Sequence, residues 1–393
     1  MKRVLFIHHV SSIGGGSYCM LSILKGIDRS EIEPLVLLKD EGPLAGEIRK
    51  LGISVYFFPQ IATTPYNQSM FRINSLRRYC SVGQSQEAFG ELLDKLKVDI
   101  VYLNVMTLYP YLRTSKARGC KTVFHVREHW PFEEHQWQMN RIRKYAGLYA
   151  DKMIAINGYS ASMFPACKEK IAIVHDWIDF KDRYERYPFN EIFGDDSSKL
   201  KVFVFTGGID PIKGGLEIVN TFSESLKDPN YRLLMLGVNN KVGLYGLKGR
   251  IKQILIRLGW RPYVMKLNEA ISKDCRIKVI PSTYKIVDIL EQAYCTLSFY
   301  TIPHANLALA EAVILGTVGI AAETDESIEY TDGGEGALLF KFCDMADFLS
   351  KIYYLEKNYT EVKARVKAHS LNVKNLFSPE KNIEIINNIL REL

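Results

Sequence analysis

A short helix-like run late in the chain sets one carboxylate among apolar side chains. Leu307–Leu315 has the composition of a helix, ends at Gly316, and follows the strand-like run Thr296–Tyr300. Glu311 lies within it, and a carboxylate among Leu, Ala and Val side chains has a specific partner unless it faces solvent. Where a strand of an α/β sheet ends, the first N–H groups of the next helix can bind an anion. The stretch therefore predicts a site for a phosphate-bearing ligand.

Two glycine-rich loops could bring the backbone close to such a ligand. Ser11–Ser17 contains three consecutive glycines between a strand-like and a helix-like run. Thr206–Gly215 repeats this arrangement and carries Lys213, whose ammonium group could neutralise a diphosphate. The first loop lacks the spacing of the GxGxxG dinucleotide fingerprint. A structural tight turn in the first loop and a solvated lysine in the second are the alternatives.

A third group of polar residues lies at the end of the strand-like run Lys121–Val126. His125, Arg127, Glu128 and His129 lie where strands of α/β proteins end and ligands bind. The His125 imidazole could donate a hydrogen bond to a sugar hydroxyl or a phosphate near neutral pH, and a structural histidine is the alternative. No cysteine or second histidine has a spacing that predicts a metal site.

The elements that must position these residues alternate between strands and helices. Such alternation predicts parallel sheets covered by helices, and 393 residues exceed one ordinary core. The segment Phe180–Lys199, rich in charge, Pro, Gly and Ser, is the predicted boundary, after which the same pattern restarts. The predicted domains are residues 1–185 and 186–375, and residues 376–393 are predicted to form a helix that returns to the first domain.

Composition excludes several classes of protein. The hydrophobic fraction of 47% and the charged fraction of 24% are typical of a soluble globular enzyme, and no apolar run is long enough to span a bilayer. Met1–Ile7 predicts a first buried strand rather than a signal peptide. Seven scattered cysteines favour reduced thiols in the cytoplasm. The net charge of +7 is compatible with anionic ligands or an anionic membrane surface.

Two segments depart from the alternating pattern. Pro59–Gln86 predicts either a functional loop or a solvated helix. Residues 241–266 are basic, lack acidic residues, and place apolar side chains on one helical face. They predict peripheral binding to an anionic membrane surface, or a packed helix with a solvated cationic face. Nucleic-acid binding is not expected, because the basic residues form one local patch without a recognised module.

The order of these motifs resembles glycosyltransferase family 4, whose members are retaining, nucleotide-sugar-dependent enzymes of the GT-B fold. The likeness covers nearly the whole chain and is carried by His125, Val174–Asp179, Gly207–Gly215, Asn306–Gly316 and Ile328–Phe340. It implies an α/β protein with two Rossmann-like domains whose parallel sheets face each other across an interdomain cleft. Residues 1–185 would form the acceptor-side domain, and residues 186–375 would form the nucleotide-sugar-binding domain. It also implies a metal-independent, hexosyltransferase-like enzyme that moves a sugar from a nucleotide-diphosphate donor to a polysaccharide or lipid-linked glycan acceptor.

The resemblance assigns roles to residues at matching positions. Glu311 would accept hydrogen bonds from the donor ribose, Lys213 would neutralise the departing diphosphate, and His125 would contact the transferring sugar. These three are the predicted catalytic residues, and no metal ion or cofactor is expected beside the nucleotide sugar. The acceptor-side candidates are Arg127, Glu128 and His129. The predicted donor-binding residues also include Gly15, Gly16, Gly207, Gly208, His304, Ala305, Asn306, Leu307 and Ala308.

Two departures from the family pattern leave other functions open. Gly208 stands where the family usually has Arg, and Pro303 stands where its Glu pair begins. The first removes a cation from the diphosphate site, for which Arg127 or Lys241 could compensate, and the second removes a carboxylate that contacts the donor sugar. The alternatives are a noncatalytic glycan- or nucleotide-binding protein and a nucleotide-sugar epimerase or phosphorylase of the same fold. The expected location is the cytoplasm, with peripheral attachment to the inner face of the membrane.

Overall fold

Two α/β units make up the chain in the computed structural model. The first consists of Met1–Ile178 and Phe377–Leu393, and the second of Asp179–Leu376. The structure describes residues 1–12, 14–66, 72–130, 135–177, 187–194, 199–238, 253–281, 283 and 285–393. Most of the predicted boundary segment Phe180–Lys199 lies outside these residues.

The first unit is built on a seven-stranded parallel sheet with the strand order β3-β2-β1-β4-β5-β6-β7. The strands are β1 (Lys2–Ile7), β2 (Ile32–Leu38), β3 (Ser54–Phe57), β4 (Ile100–Leu103), β5 (Lys121–Val126), β6 (Lys152–Ala155) and β7 (Ile171–Ile173). The helices are α1 (Gly15–Gly26), α2 (Pro43–Lys50), α3 (Ile73–Leu96), α4 (Pro110–Ala117), α5 (Gln136–Tyr149) and α6 (Gly158–Ser162). The order of the strands reverses between β1 and β4, and ligands of open α/β sheets bind beside such a reversal.

The second unit repeats this design with six parallel strands in the order β10-β9-β8-β11-β12-β13. They are β8 (Lys201–Phe205), β9 (Tyr231–Leu236), β10 (Ile277–Ile280), β11 (Cys295–Ser298), β12 (Val318–Ala322) and β13 (Leu338–Phe340). Its helices include α7 (Phe189–Phe193), α8 (Gly215–Ser225), α9 (Tyr263–Ser272), α10 (Ile286–Gln292), α11 (Leu307–Ile314), α12 (Asp325–Glu329) and α13 (Met345–Leu376). Here the order reverses between β8 and β11.

The sheet of the first unit has an apolar core on each face. Along β1, Leu5 and Ile7 join one buried cluster, whereas Val4 and Phe6 join the other, because alternate side chains of a strand point to opposite faces. This two-sided burial explains why the strand is a continuous apolar run rather than an alternating one. The last helix, α14 (Pro379–Glu392), packs its apolar side chains into the cluster that contains Val4 and Phe6.

The structure tests the predictions for the two segments outside the alternating pattern to different extents. α3 begins at Ile73, so the later part of Pro59–Gln86 is a helix with an exposed face. Residues 241–252 of the predicted membrane-binding segment lie outside the described residues, which resume at residue 253, and membrane attachment stays a prediction. Of the helices that the structure describes, none combines the length and the apolar character that crossing a membrane requires.

Candidate functional site

The loop after β8 is folded tightly around its glycines. Gly208 has a φ of +65°, and a Cβ atom there would lie 3.4 Å from the carbonyl oxygen of Gly237. At Gly207 a Cβ atom would lie only 2.6 Å from the Cβ atom of Lys213. An L-residue with a side chain would be strained at Gly208, so the arginine of the family pattern does not fit this loop.

The turn that carries Lys213 is fixed against the chain that follows β11. The Asp210 carboxylate accepts a hydrogen bond from the Ile212 N–H at 3.2 Å, and the Thr301 N–H donates to the Ile212 carbonyl at 2.9 Å. Gly214 has a φ of +71°, and a Cβ atom there would overlap the carbonyl oxygen of Phe299. The lysine therefore lies beside the strand-order reversal of the second unit.

The Lys213 ammonium group lies in a desolvated, electron-rich setting. Its Nζ atom donates to the Tyr300 hydroxyl at 3.0 Å and lies 4.3 Å from the centre of that ring. Burial lowers the pKa of Lys213 to about 8, and the charge of Asp210 opposes this shift. Among the described residues no carboxylate forms an ion pair with it, so its charge is available to an anion. Sequence reasoning did not single out Tyr300, although it ends an apolar strand-like run.

The start of α11 offers free backbone donors beside the same strand. Asn306 is buried, its side-chain oxygen accepts from the Leu309 N–H at 3.3 Å, and its Nδ2 atom donates to Ser298 Oγ at 2.8 Å. Within the described part of the chain, the N–H groups of Leu307 and Ala308 have no acceptor. Such donors, together with the helix dipole, favour a phosphate group.

Two further predicted donor residues flank this helix start. The His304 ring lies 5.9 Å from the Tyr300 ring in an edge-to-face arrangement, and His304 and Ala305 are half-buried. The contacts to Tyr300 therefore place His304 and Lys213 around one aromatic ring. Pro303 immediately precedes them and offers no carboxylate.

Glu311 lies on α11 and is half-buried. Burial raises the pKa of its carboxyl group to about 7, because the charged form loses solvation among apolar neighbours. The sequence predicted a specific partner for this carboxylate, but no described residue donates a hydrogen bond to it or pairs with it. The group is therefore open to hydroxyl donors of a ligand.

In the first unit, the glycine loop lies between β1 and α1. A Cβ atom added to Gly15 would meet no protein atom within 4 Å, and one added to Gly16 would lie 3.8 Å from the His8 ring. Packing within the protein therefore does not require a glycine at either position. The space around them is compatible with close approach of a ligand, and their contact with a donor stays a prediction.

His125 is a buried neutral imidazole with one unpaired nitrogen. Its Nδ1 atom lies 2.5 Å from the Tyr102 hydroxyl and 3.3 Å from Arg127 Nη2. A guanidinium group can only donate, so Nδ1 is the acceptor and Nε2 carries the proton. Burial and the charge of Arg127 hold the pKa of His125 well below its usual value. Its Nε2 atom is buried and has no hydrogen-bond partner among the described residues, which leaves an N–H group that can donate to a ligand.

Arg127 connects this histidine to the glycine loop through Asn104. Its Nε atom donates to Asn104 Oδ1 at 3.0 Å, and its Nη1 atom forms an ion pair with Asp176. Asn104 Nδ2 in turn donates to the Gly16 carbonyl at 3.2 Å. Arg127 is 8% exposed, so the cation is held by Asp176 and positions its neighbours. The sequence did not predict a site role for Asn104 or Asp176. Contacts between strand ends that are distant along the chain leave no local pattern in the sequence.

Glu128 and His129, predicted on the acceptor side, also have internal partners. The Glu128 carboxylate accepts from the N–H groups of Met106 at 2.9 Å and Arg127 at 3.1 Å, and burial raises its pKa to about 7. The His129 ring stacks on Tyr159 with a centroid distance of 4.1 Å. These side chains fix the backbone around the end of β5, and an acceptor contact stays a prediction.

Solved structures share this fold along the whole chain. HepE from Anabaena, in complex with UDP and glucose, superposes with a TM-score of 0.76 at 17% identity, with 100% of both chains covered. A glycosyltransferase from Rickettsia africae gives a TM-score of 0.71 at 15% identity over 100% of this chain and 98% of that one. The lipopolysaccharide outer core galactosyltransferase WaaB gives 0.60 at 14% identity with both chains fully covered.

These likenesses are in structure rather than in sequence. No protein-family model matches the chain, and no curated protein matches it in sequence. Together with the two parallel sheets, the structural matches confirm the predicted GT-B fold of two Rossmann-like domains in an α/β protein. The roles of individual residues stay predictions.

Proposed function

We propose that this protein is a retaining glycosyltransferase that moves a hexose from a nucleotide-diphosphate donor to a hydroxyl group of a glycan acceptor. The observation that carries the proposal is the arrangement at the β8/β11 reversal. An ammonium group without a carboxylate partner, the open start of α11 and the unpaired Glu311 carboxylate lie on the elements that flank it. This combination suits a ligand with a diphosphate and a neighbouring diol.

Each group meets a need of glycosyl transfer. The bond between the anomeric carbon and the diphosphate oxygen breaks with its electron pair left on the diphosphate. The acceptor oxygen forms the new bond to the anomeric carbon, and its proton passes to the departing diphosphate. Lys213 and the N–H groups of Leu307 and Ala308 would stabilise the charge that develops on the leaving group. Glu311 would accept hydrogen bonds from the ribose hydroxyls and so orient the nucleotide.

His125 would act as a hydrogen-bond donor rather than a base. Its low pKa keeps the ring neutral, and its Nδ1 atom is already engaged by Tyr102 and Arg127. The free Nε2–H group would hold a hydroxyl of a bound sugar. Tyr102 and Arg127 would then be positioning residues that fix the tautomer.

The structural relatives indicate which nucleotide sugar to test first as a donor. HepE was solved in complex with UDP and glucose, so UDP-glucose is the first donor to test. A polysaccharide or lipid-linked glycan is the proposed acceptor class, and independence from metal ions is part of the proposal. A noncatalytic relative is the second candidate, because Gly208 and Pro303 replace functional side chains of the family.

Transfer to an acceptor panel is the test. UDP-, GDP- and ADP-hexoses are incubated with glycan and lipid-linked acceptors, with and without EDTA, and the product is followed by mass spectrometry and NMR. We expect a product that keeps the anomeric configuration of the donor and forms in EDTA. Donor binding without any product would favour the noncatalytic candidate, and an inverted product would overturn retention.

A further inference from the structure

A recess lies in the first unit, and Ser11 and Ser12 of the first glycine loop form part of its lining. It is a cavity of about 900 Å³ at the ends of β1, β2 and β3. Residues 9–12, 39–43 and 59–63 supply three of its walls, and the first turns of α3 supply the fourth through Arg77 and Arg78. The volume is sufficient for a ligand larger than one monosaccharide.

The cavity has an excess of available positive charge. Lys39, Arg77 and Arg78 line it, and all three side chains are exposed. Among the described residues, none of them has a carboxylate partner. Two or more free cations around one recess favour a ligand with a negatively charged group.

The two carboxylates of the lining do not cancel this charge. Arg49, which is not part of the lining, holds Glu41 with two hydrogen bonds of 2.8 and 2.7 Å. Asp40 accepts a hydrogen bond from the Ser11 hydroxyl at 2.5 Å. Glu41 is therefore neutralised by an outside cation, whereas Asp40 offsets one of the three charges of Lys39, Arg77 and Arg78, so the lining keeps an excess of positive charge.

The pKa of His9, which lines the cavity, is affected by the positive charges around it. Burial and the charges of Arg78 and Lys39 lower its pKa to about 4, so the ring is neutral at pH 7. The rest of the lining offers hydroxyl and amide groups from Ser12, Gln60, Thr63, Ser81 and Gln84. Such groups exchange hydrogen bonds with the hydroxyls of a sugar.

We infer that this cavity binds the acceptor, and that the acceptor is an anionic glycan with a phosphate ester or a carboxylate beside its hydroxyl groups. The charged group contacts Lys39, Arg77 and Arg78, and the sugar hydroxyls contact the polar lining. The assignment of the ligand as an acceptor rests on the proposed function, whereas its charge and polarity follow from the cavity itself.

Binding of matched sugars tests the inference. Glucose 6-phosphate, glucuronic acid and glucose are titrated into the full chain by NMR at constant ionic strength. We expect both anionic sugars to bind at least about tenfold more tightly than glucose, a difference of about 1.4 kcal/mol. Comparison of glucose 6-phosphate with glucuronic acid shows whether the cavity prefers a phosphate or a carboxylate. Binding of an anionic sugar is also expected to raise the pKa of His9, since it offsets the neighbouring cations.

A charge-matched pair of variants ties the effect to the cavity. The double variant Arg77→Gln with Arg78→Gln is expected to lose the preference for anionic sugars. The control, Arg113→Gln with Lys144→Gln, removes the same charge from exposed positions outside the cavity and is expected to keep it. Equal binding of all three sugars, or equal losses in both double variants, would overturn the inference.

UDP titration of the same samples separates this inference from the proposed function. Both double variants are expected to bind UDP with the same affinity as the unmodified protein. Failure of the unmodified protein to bind any nucleoside diphosphate would overturn the proposed function and the acceptor role. Selectivity for anionic sugars would still support the charge that we assign to the ligand of the cavity.

Discussion

At the scale of single residues, the three side chains to which we assign the proposed chemistry differ in protonation state. His125 is held neutral, whereas the carboxyl group of Glu311 and the ammonium group of Lys213 titrate near neutral pH. Burial is the first cause of each shift, since it disfavours the charged form of acids and bases alike. The sequence singled out all three as candidates, but their pKa values depend on neighbours that only the folded chain brings together.

These values predict how nucleotide affinity depends on pH. Glu311 accepts hydrogen bonds best when ionised, which requires a pH above about 7, and Lys213 keeps its charge below a pH of about 8. Affinity for UDP should therefore be greatest between these values and fall on either side. Calorimetric titration across this range measures the profile. The loss of UDP affinity at acidic pH should be absent in Glu311→Gln. An identical pH profile in that variant would argue against a role of Glu311 in nucleotide binding.

Removal of the lysine charge should weaken binding of the diphosphate. A hydrogen bond to a charged group contributes about 1.5 to 3 kcal/mol, so we expect Lys213→Met to bind UDP roughly 10- to 100-fold more weakly. Lys278→Met is the control, because Lys278 is an exposed lysine of the same unit. Binding is measured by calorimetry on samples with matched circular dichroism spectra. Similar losses in the two variants would mean that the effect is one of overall charge.

At the scale of elements, most of the proposed ligand contacts lie in the loops that follow β1, β8 and β11. Buried parallel strands leave a strong trace in the sequence, since both of their faces must be apolar. β5 accordingly has the predicted bounds, Lys121–Val126. Contacts between loops leave no such trace, so Tyr300 and Asn104 were not predicted. The loop or helix at Pro59–Gln86 stayed ambiguous because its polar residues suit both.

Glycine substitutions should separate packing from ligand approach. Gly214→Ala places a Cβ atom on the Phe299 carbonyl at a φ of +71°, and we expect it to lower the free energy of unfolding by more than about 2 kcal/mol. Gly15→Ala meets no protein atom within 4 Å and should leave stability within about 0.5 kcal/mol. Chemical denaturation measures both values. A Gly15→Ala protein that is as unstable as Gly214→Ala would contradict the description of the first loop.

At the scale of the whole molecule, one unit is assembled from the two ends of the chain. Helix α14 shares a buried cluster with β1, although the two are separated by the entire second unit in sequence. The fold itself tolerates great change in sequence, since solved structures at 17% identity or less match the chain from end to end. The architecture could be predicted because the patterns of buried strands and helices are visible in the sequence, whereas the donor sugar and the acceptor depend on individual side-chain contacts that leave no such pattern.

Truncation of a side chain on α14 should destabilise the first unit. Leu390 is fully buried, and we expect Leu390→Ala to lower the free energy of unfolding by about 2 to 5 kcal/mol. Leu371→Ala, at a position that is 63% exposed, should change it by less than about 0.5 kcal/mol. Denaturant titration compares the two variants. Equal stability of Leu390→Ala and Leu371→Ala would be inconsistent with a shared core.

Titration of nucleoside diphosphates into the unmodified protein, Glu311→Gln and Glu323→Gln tests the central claim most directly. Glu323 is an exposed glutamate of the same unit, so its variant controls for the loss of one negative charge. The account predicts that at least one of UDP, GDP and ADP binds the unmodified protein. It also predicts that Glu311→Gln weakens this binding roughly 10- to 100-fold, whereas Glu323→Gln leaves it unchanged. Absence of binding for all three nucleotides, or equal affinity in the three proteins, would contradict it.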